Sequence, residues 1–182
     1  MNKFLKMAAA ALFAAFLVLP GMSRADAAMK LAVVPLIIGE NVEDDAGLKP
    51  IAYSTEVSEL FQYPEYDLVD SDTVRKAALA QQDNLFTKEG LEAIAKASGA
   101  DCVVAMSVDK FDVEEDNFRR EPVTKLRFEG KFATINMLNG SYKEDHYDER
   151  ESGAIHPKFD YPHNRFQYLC KRELNKAIKN NK

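Results

Sequence analysis

Hydrophobic positions along the chain fall into segments whose period changes from place to place, and those changes mark out the elements. Residues 29–38, MKLAVVPLII, form a continuous apolar run rich in Val and Ile, as expected of an interior strand covered on both faces. Pro35 inside the run has no backbone N–H to donate, so regular pairing is predicted to end near it. Residues 39–50, GENVEDDAGLKP, are polar, carry two glycines and end in proline, which predicts a loop. Across residues 52–62, Val57, Leu60 and Phe61 share one helical face. A turn at YPE then leads into a short strand over Tyr66–Val69.

Ser71 or Asp72 is placed to cap the next helix, residues 72–81, where Val74, Ala77 and Ala78 recur at helical spacing. Thr87 opens a further helix with Leu91, Ile94 and Ala95 on one side and Gly99 as its stop. DCVVAMSVDKF, residues 101–111, follows as a buried strand, and the charged FDVEEDNFRREP, residues 111–122, reads as a solvent-facing excursion. Residues 123–138 alternate, with Leu126, Phe128 and Phe132 in phase before Ala133, Ile135 and Met137. That phase change near Gly130 predicts a bulge or bend. Asn139-Gly140 marks a tight turn, SYKEDHYDERE is the polar returning edge strand, and residues 163–181 place Phe166, Cys170, Leu174, Ala177 and Ile178 on one face of a last helix with a basic end. The order β, α, β, α, α, β, β, β, α predicts an α/β fold: a small mixed sheet flanked by helices, with a carboxyl-terminal β-hairpin and a final helix.

The amino terminus follows a different pattern. Lys3 and Lys6 precede the apolar run Ala8–Leu19, then Pro20 and Gly21, then small residues at Ala25, Ala27 and Ala28, the three-part pattern of a secretory signal peptide. Residues 1–28 are therefore expected to be a signal peptide and 29–182 a single α/β domain. About 155 residues remain, enough for one real core. The expected location is outside the cytoplasm, soluble in the periplasm or the extracellular space, with no transmembrane segment after cleavage and no Cys near the cleavage site for lipid attachment. The chain carries 24 basic and 29 acidic residues, and the leader removes Lys3, Lys6 and Arg24, so nucleic acid and anionic membranes are poor partners for it.

Candidate chemistry is sparse. Cys102 and Cys170 are two cysteines in an oxidising compartment, compatible with one disulfide stapling the last helix to the sheet and equally with two separate buried thiols acting as small hydrophobes. All three histidines, His146, His156 and His163, fall within residues 144–163 with Asp145 and Asp148, a set zinc would accept if the loop folded back on itself, although HExxH spacing is absent. No GxSxG elbow and no glycine-rich phosphate cradle is present, and the acidic Glu43, Asp44 and Asp45 lack an alternating calcium-loop pattern. No catalytic, cofactor-binding or metal-binding residue is assigned, and no cofactor is expected. Two aromatic groups are candidate partner contacts: Phe61, Tyr63 and Tyr66, and, on the edge strand, Tyr142 and Tyr147.

KLAVVPL near the start, YDLVDSDTVRKAAL, EGLEAIAKASGADCVVAMSVDKF and INMLNGSYKE together resemble a group of exported envelope α/β domains. These are the TolB amino-terminal domain, the curli secretion lipoprotein and the lipoprotein activators of penicillin-binding proteins. Pro35 at the end of the first strand, Val69-Asp70 before a helix, and Gly99-Ala100-Asp101 leading into an apolar strand match that group over residues 29–142. The resemblance implies the fold and binding to another envelope protein; with no lipid-attachment Cys, propeller or long transmembrane hairpin, it implies neither a pore nor translocation. The leading expectation is a non-enzymatic envelope protein that binds or modulates a partner protein or complex. The alternatives are a small metal-dependent hydrolase using the histidine-bearing loop and a carrier of a small apolar ligand between helix and sheet.

Overall fold

A computed structural model describes residues 28–43, 45–119, 121–154 and 161–180; the signal-like segment before residue 28 and His156 lie outside them. Three parallel strands form one half of a sheet: β1 (Met29–Val33) sits between β3 (Tyr66–Leu68) and β4 (Cys102–Val108), with the two-residue β2 (Ile37–Ile38) also on β4. The other half is antiparallel, built from β5 (Lys110–Phe118), β6 (Glu121–Asn136) and β7 (Ser141–Ala154). β6 joins the halves, because its second part pairs with β4 and its first part with β5. The mixed sheet, its terminal β6–β7 hairpin and the final helix are those the sequence predicts.

Between β1 and β2 the register against β4 shifts by one, from Val33↔Val104 to Ile37↔Ser107. The extra residue falls at Pro35, which has no N–H to give to the ladder. The run 29–38 is thus two strands broken where the proline requires it. Its neighbour shows the same device: Met106 pairs with Phe132 but Lys110 with Glu129, so β4 and β5 are one long strand carrying an extra residue opposite Gly130. The irregularity predicted near Gly130 is therefore real, but it sits on the adjacent strand, while β6 runs against β7 in unbroken register from Val123↔Ala154 to Asn136↔Ser141.

The phase change in β6 has a different cause, which is coverage. One face of the sheet packs against α1 (Asp45–Ser54) and α4 (Tyr161–Asn180), burying Leu31, Val104, Met106, Phe128, Phe132, Phe166 and Leu174. The other face is covered by α2 (Ser71–Leu79) and α3 (Lys88–Ser98) over only part of the sheet, burying Ala32, Val103, Ala105, Ala133 and Ile135. All of β4 is buried because it lies under both layers. Where α2 and α3 end, β5 and the first half of β6 keep only the α4 side covered, and alternation returns.

Segments 39–50 and 111–122 depart from expectation. Asp45 already starts α1, with Gly47 and Pro50 inside the helix, because the buried Leu48 and Ala52 lie one turn apart on its inner face. The charged 111–122 segment contains most of β5: Phe111 turns toward Phe128, with ring centroids 5.3 Å apart, and the charges between pair across to β6, as in Lys125 with Asp116 at 2.5 Å. Helix caps explain two boundaries. Asp70 rather than Ser71 or Asp72 caps α2, its Oδ2 accepting from the Thr73 N–H at 2.9 Å. Thr87 caps α3 by accepting from the Gly90 N–H at 3.1 Å, and Gly99 ends α3 at φ 69°.

At the junction, Gly130 faces the Ser107 carbonyl and the Tyr147 ring so closely that any Cβ there would collide with both. Tyr147 Oη donates to the Ser107 carbonyl, and the Lys131 N–H donates to Ser107 Oγ at 3.1 Å. Gly130→Ala is expected to lower stability by about 1–3 kcal/mol, the usual range for overpacking a buried site, read as a lower urea midpoint with an unchanged slope.

Candidate functional site

The parallel strands point their carboxyl ends at a crevice, the place where open α/β sheets accept ligands. A cavity of about 460 Å³ lies there. Val33, Pro35 and Leu36 form one wall, Leu68 and Val69 at the end of β3 a second, and Pro50, Tyr53 and Val57 a third. The third wall belongs to α1 and its π-helical continuation, Thr55–Leu60. In that wider turn Thr55 and Glu56 both face inward; Thr55 Oγ1 donates to the Ile51 carbonyl at 2.8 Å, while Glu56, 2 % exposed, lines the cavity. No hydrogen bond or ion pair to the Glu56 carboxylate is formed by the described residues, and burial pushes its pKa up to about 8. At neutral pH it is mainly the protonated acid, able to donate a hydrogen bond.

The second distinctive surface is the outer face of β5, β6 and β7, beyond the reach of α2 and α3. Lys110, Asp112, Glu114, Lys125, Arg127 and Arg150 surround a shallow depression there. Arg127 on β6 pairs across to Asp148 on β7 at 3.5 Å, while Arg150 to Asp148 at 3.2 Å and Lys110 to Asp112 at 3.1 Å run along β7 and β5. The guanidinium of Arg150, with that of Arg127 behind it, holds the Asp148 carboxyl below its usual range. On the opposite face, α4 is fixed by Arg172 to Glu149 at 2.6 Å and by Lys171 to Glu59 at 2.7 Å. The buried Glu173 is met by Arg172 at 2.8 Å and Lys176 at 2.7 Å.

The five aromatic candidates divide by position. Phe61 and Tyr66 pack edge to face in the core, centroids 5.3 Å apart. Tyr147 is buried beneath the sheet, reaching Ser107. Tyr142 is half-buried, and its hydroxyl donates to the Phe86 carbonyl at 2.6 Å, clamping β7 to the loop before α3. Tyr63 is 82 % exposed. The structure therefore brings none of the first three to the surface together with Tyr63.

The disulfide considered for Cys102 and Cys170 is not formed; both are buried thiols. Cys102 opens β4 with its sulfur 3.8 Å from Thr134 Oγ1, whereas Cys170 lies on α4, where Glu56 adds to the effect of burial on its thiol. Each fills core volume as a small hydrophobe. Of the histidine-bearing set, Asp145 and His146 are consecutive on β7 and point to opposite faces. His146 approaches Glu144 at 3.4 Å, and His163 is on α4, its ring 5.9 Å from that of Phe111. Among the described residues no group of three or more His, Cys, Asp or Glu side chains could hold a metal ion. Among them, too, no helix is long and apolar enough to cross a membrane.

Glu56 was missed because the sequence pattern starts that helix at residue 52. Taken from Asp45, the inward positions Leu48, Ala52, Thr55 and Glu56 follow helical spacing and place a carboxylate on the buried side.

No protein-family model matches the chain, and no curated protein is similar to it. Solved structures do match. Lipoprotein GNA1162 from Neisseria meningitidis is 16 % identical with a TM-score of 0.45, over 83 % of this chain and 99 % of that one. The PelC dodecamer from Paraburkholderia phytofirmans is 18 % identical with a TM-score of 0.43, over 81 % and 86 %. LpoB from E. coli is 14 % identical with a TM-score of 0.42, over 70 % and 58 %. These matches assign no role to any residue here.

Two measurements check this chemistry. Folding raises the Glu56 pKa, so the folded chain keeps a proton that the unfolded chain releases. Its contribution to stability is whole below the ordinary carboxylate range and is lost as pH rises to about 8. Glu56→Gln should flatten that decline and leave the variant more stable at pH 9 by on the order of 4–5 kcal/mol, seen in urea midpoints from pH 4 to 9. The thiols, with Cys102 pushed up to about 11 and Cys170 well above its usual range by burial, should resist a thiol-specific disulfide reagent in the native protein. Both should react once urea unfolds it.

Proposed function

We propose that this is an exported envelope protein that works by binding a partner protein, without a chemical step of its own, and that the β5–β6–β7 half of the sheet carries the contact. The observation behind this reading is the edge strand β7. It runs for 14 residues, pairs with β6 on one side, and among the described residues has no strand on the other. An uncovered edge of that length invites an added strand. Its alternating charges, Lys143, Glu144, Asp145, Asp148 and Arg150, keep indiscriminate pairing in check and select a partner of complementary charge. Tyr142, on β7 itself, is the aromatic candidate with surface to offer such a partner; Tyr63 lies before β3, at the other edge of the sheet.

The leader-like amino terminus and the resemblance to envelope domains support the location. Export of the mature chain is part of the same proposal.

A photo-crosslinking amino acid in place of the exposed His146, in the native host, tests the surface; the same replacement at exposed Arg75 on α2 is the control. Capture of one envelope protein in stoichiometric amount from position 146 but not from 75, lowered about tenfold by Arg150→Glu, is the expected outcome. Equal capture from both positions, or monomer alone, would overturn the reading.

A further inference from the structure

We propose that the cavity at the carboxyl ends of β1 and β3 is a binding site for a small, mainly apolar molecule whose polar end, a carboxyl or carbonyl oxygen, is held by the Glu56 side chain. Four observations lead to this. The volume, about 460 Å³, is within the usual range for small-molecule sites. The walls from β1–β2, β3 and α1 are apolar, so the body of the ligand would be desolvated on entry. Its position outside the carboxyl ends of parallel strands is where this class of sheet accepts ligands. Finally, Glu56 is 2 % exposed, lines the space and has no partner among the described residues, whereas buried polar groups are ordinarily hydrogen-bonded.

The polar end of the ligand follows from Glu56 itself, the buried carboxyl of the lining. A protonated Glu56 then donates to the ligand oxygen; no bond is made or broken. Lys49 and Tyr53 from α1 are the other titratable residues of the lining, and Cys170 from α4 is close enough to sense the Glu56 charge, while the lining residues of β1, β3 and the segments that follow them carry none. A π-helical turn at this point, which turns Glu56 inward, is the kind of helix irregularity that recurs at functional sites.

This site is separate from the β7 edge, and its fate leaves the partner reading untouched. The test is calorimetric titration of the purified protein with decanoic acid, and with decylamine, at pH 7 and pH 9.5. Decanoate should bind once per chain and weaken by about 30-fold at the higher pH, as Glu56 loses its proton. Glu56→Gln, which keeps a donor, should bind decanoate without that loss, and this separates Glu56 from Lys49, Tyr53 and Cys170. Glu56→Leu, which keeps the bulk but not the donor, should bind at least about tenfold more weakly at pH 7. Absence of saturable decanoate binding, an unchanged pH dependence in Glu56→Gln, or tighter binding of decylamine would each overturn the proposal. Circular dichroism of both variants ensures that a loss is read on folded protein.

Discussion

Two half-sheets of different character are held as one by the close approach at Gly130. An extra residue in the β4–β5 strand turns the Ser107 carbonyl toward β6, and only a residue without a side chain leaves room for that carbonyl and for Tyr147. On one side of this point the strands are parallel, short and covered on both faces. On the other they are antiparallel, long and covered on one. A bulge bends its strand and adds local twist, and the carbonyl it displaces from the ladder would be a buried unpaired acceptor. Tyr147 supplies the missing donor from β7. Bulge, glycine and tyrosine therefore depend on one another, and both proposed surfaces lie on either side of the point they fix.

Coverage follows from connectivity. β1 leads through α1 to β3 on one side, and β3 leads back over β1 to β4 on the other. Right-handed crossovers in opposite directions put their helices on opposite faces, which places α1 on one and α2 with α3 on the other. The antiparallel half has only hairpin connections, so no helix is available for its outer face, and α4 returns to cover the inner one. The same topology that buries β4 completely leaves the outer side of β5, β6 and β7 to water, and the charged residues there pair across strands instead of packing.

Much of this was legible in the sequence, and the exceptions have physical reasons. Periodicity located α2, α3, β3 and the hairpin, because each has one consistently covered face and strong punctuation at Thr87, Gly99 and Asn139-Gly140. The segment 111–122 misled because its charge content is that of a solvated loop. A strand with one covered face needs apolar residues only at alternate positions, and here Phe111 against Phe128 is enough, since Val113 is itself exposed. Gly47 and Pro50 misled in the same way for α1, since breaker residues say little about a helix whose inner face is fixed by Leu48 and Ala52. The aromatic candidates show the limit most directly: Phe61 and Tyr63 are two residues apart, yet one is in the core and the other almost fully in water.

Glu56 is the point at which local rules and the fold disagree. A leucine or methionine there would satisfy the inner face of the helix at no electrostatic cost, and a glutamate one turn away would sit in solvent. Keeping the carboxyl inside costs stability at every pH above the ordinary carboxylate range, and burial is what sets that cost. By contrast Glu173, equally buried, is met by both Arg172 and Lys176, so this fold does provide partners for a carboxylate it encloses for structural reasons. The difference between the two glutamates is that only Glu56 opens onto a cavity. A buried carboxyl that opens onto an apolar cavity keeps its hydrogen-bonding capacity available to a bound molecule, which is the arrangement the proposed site requires.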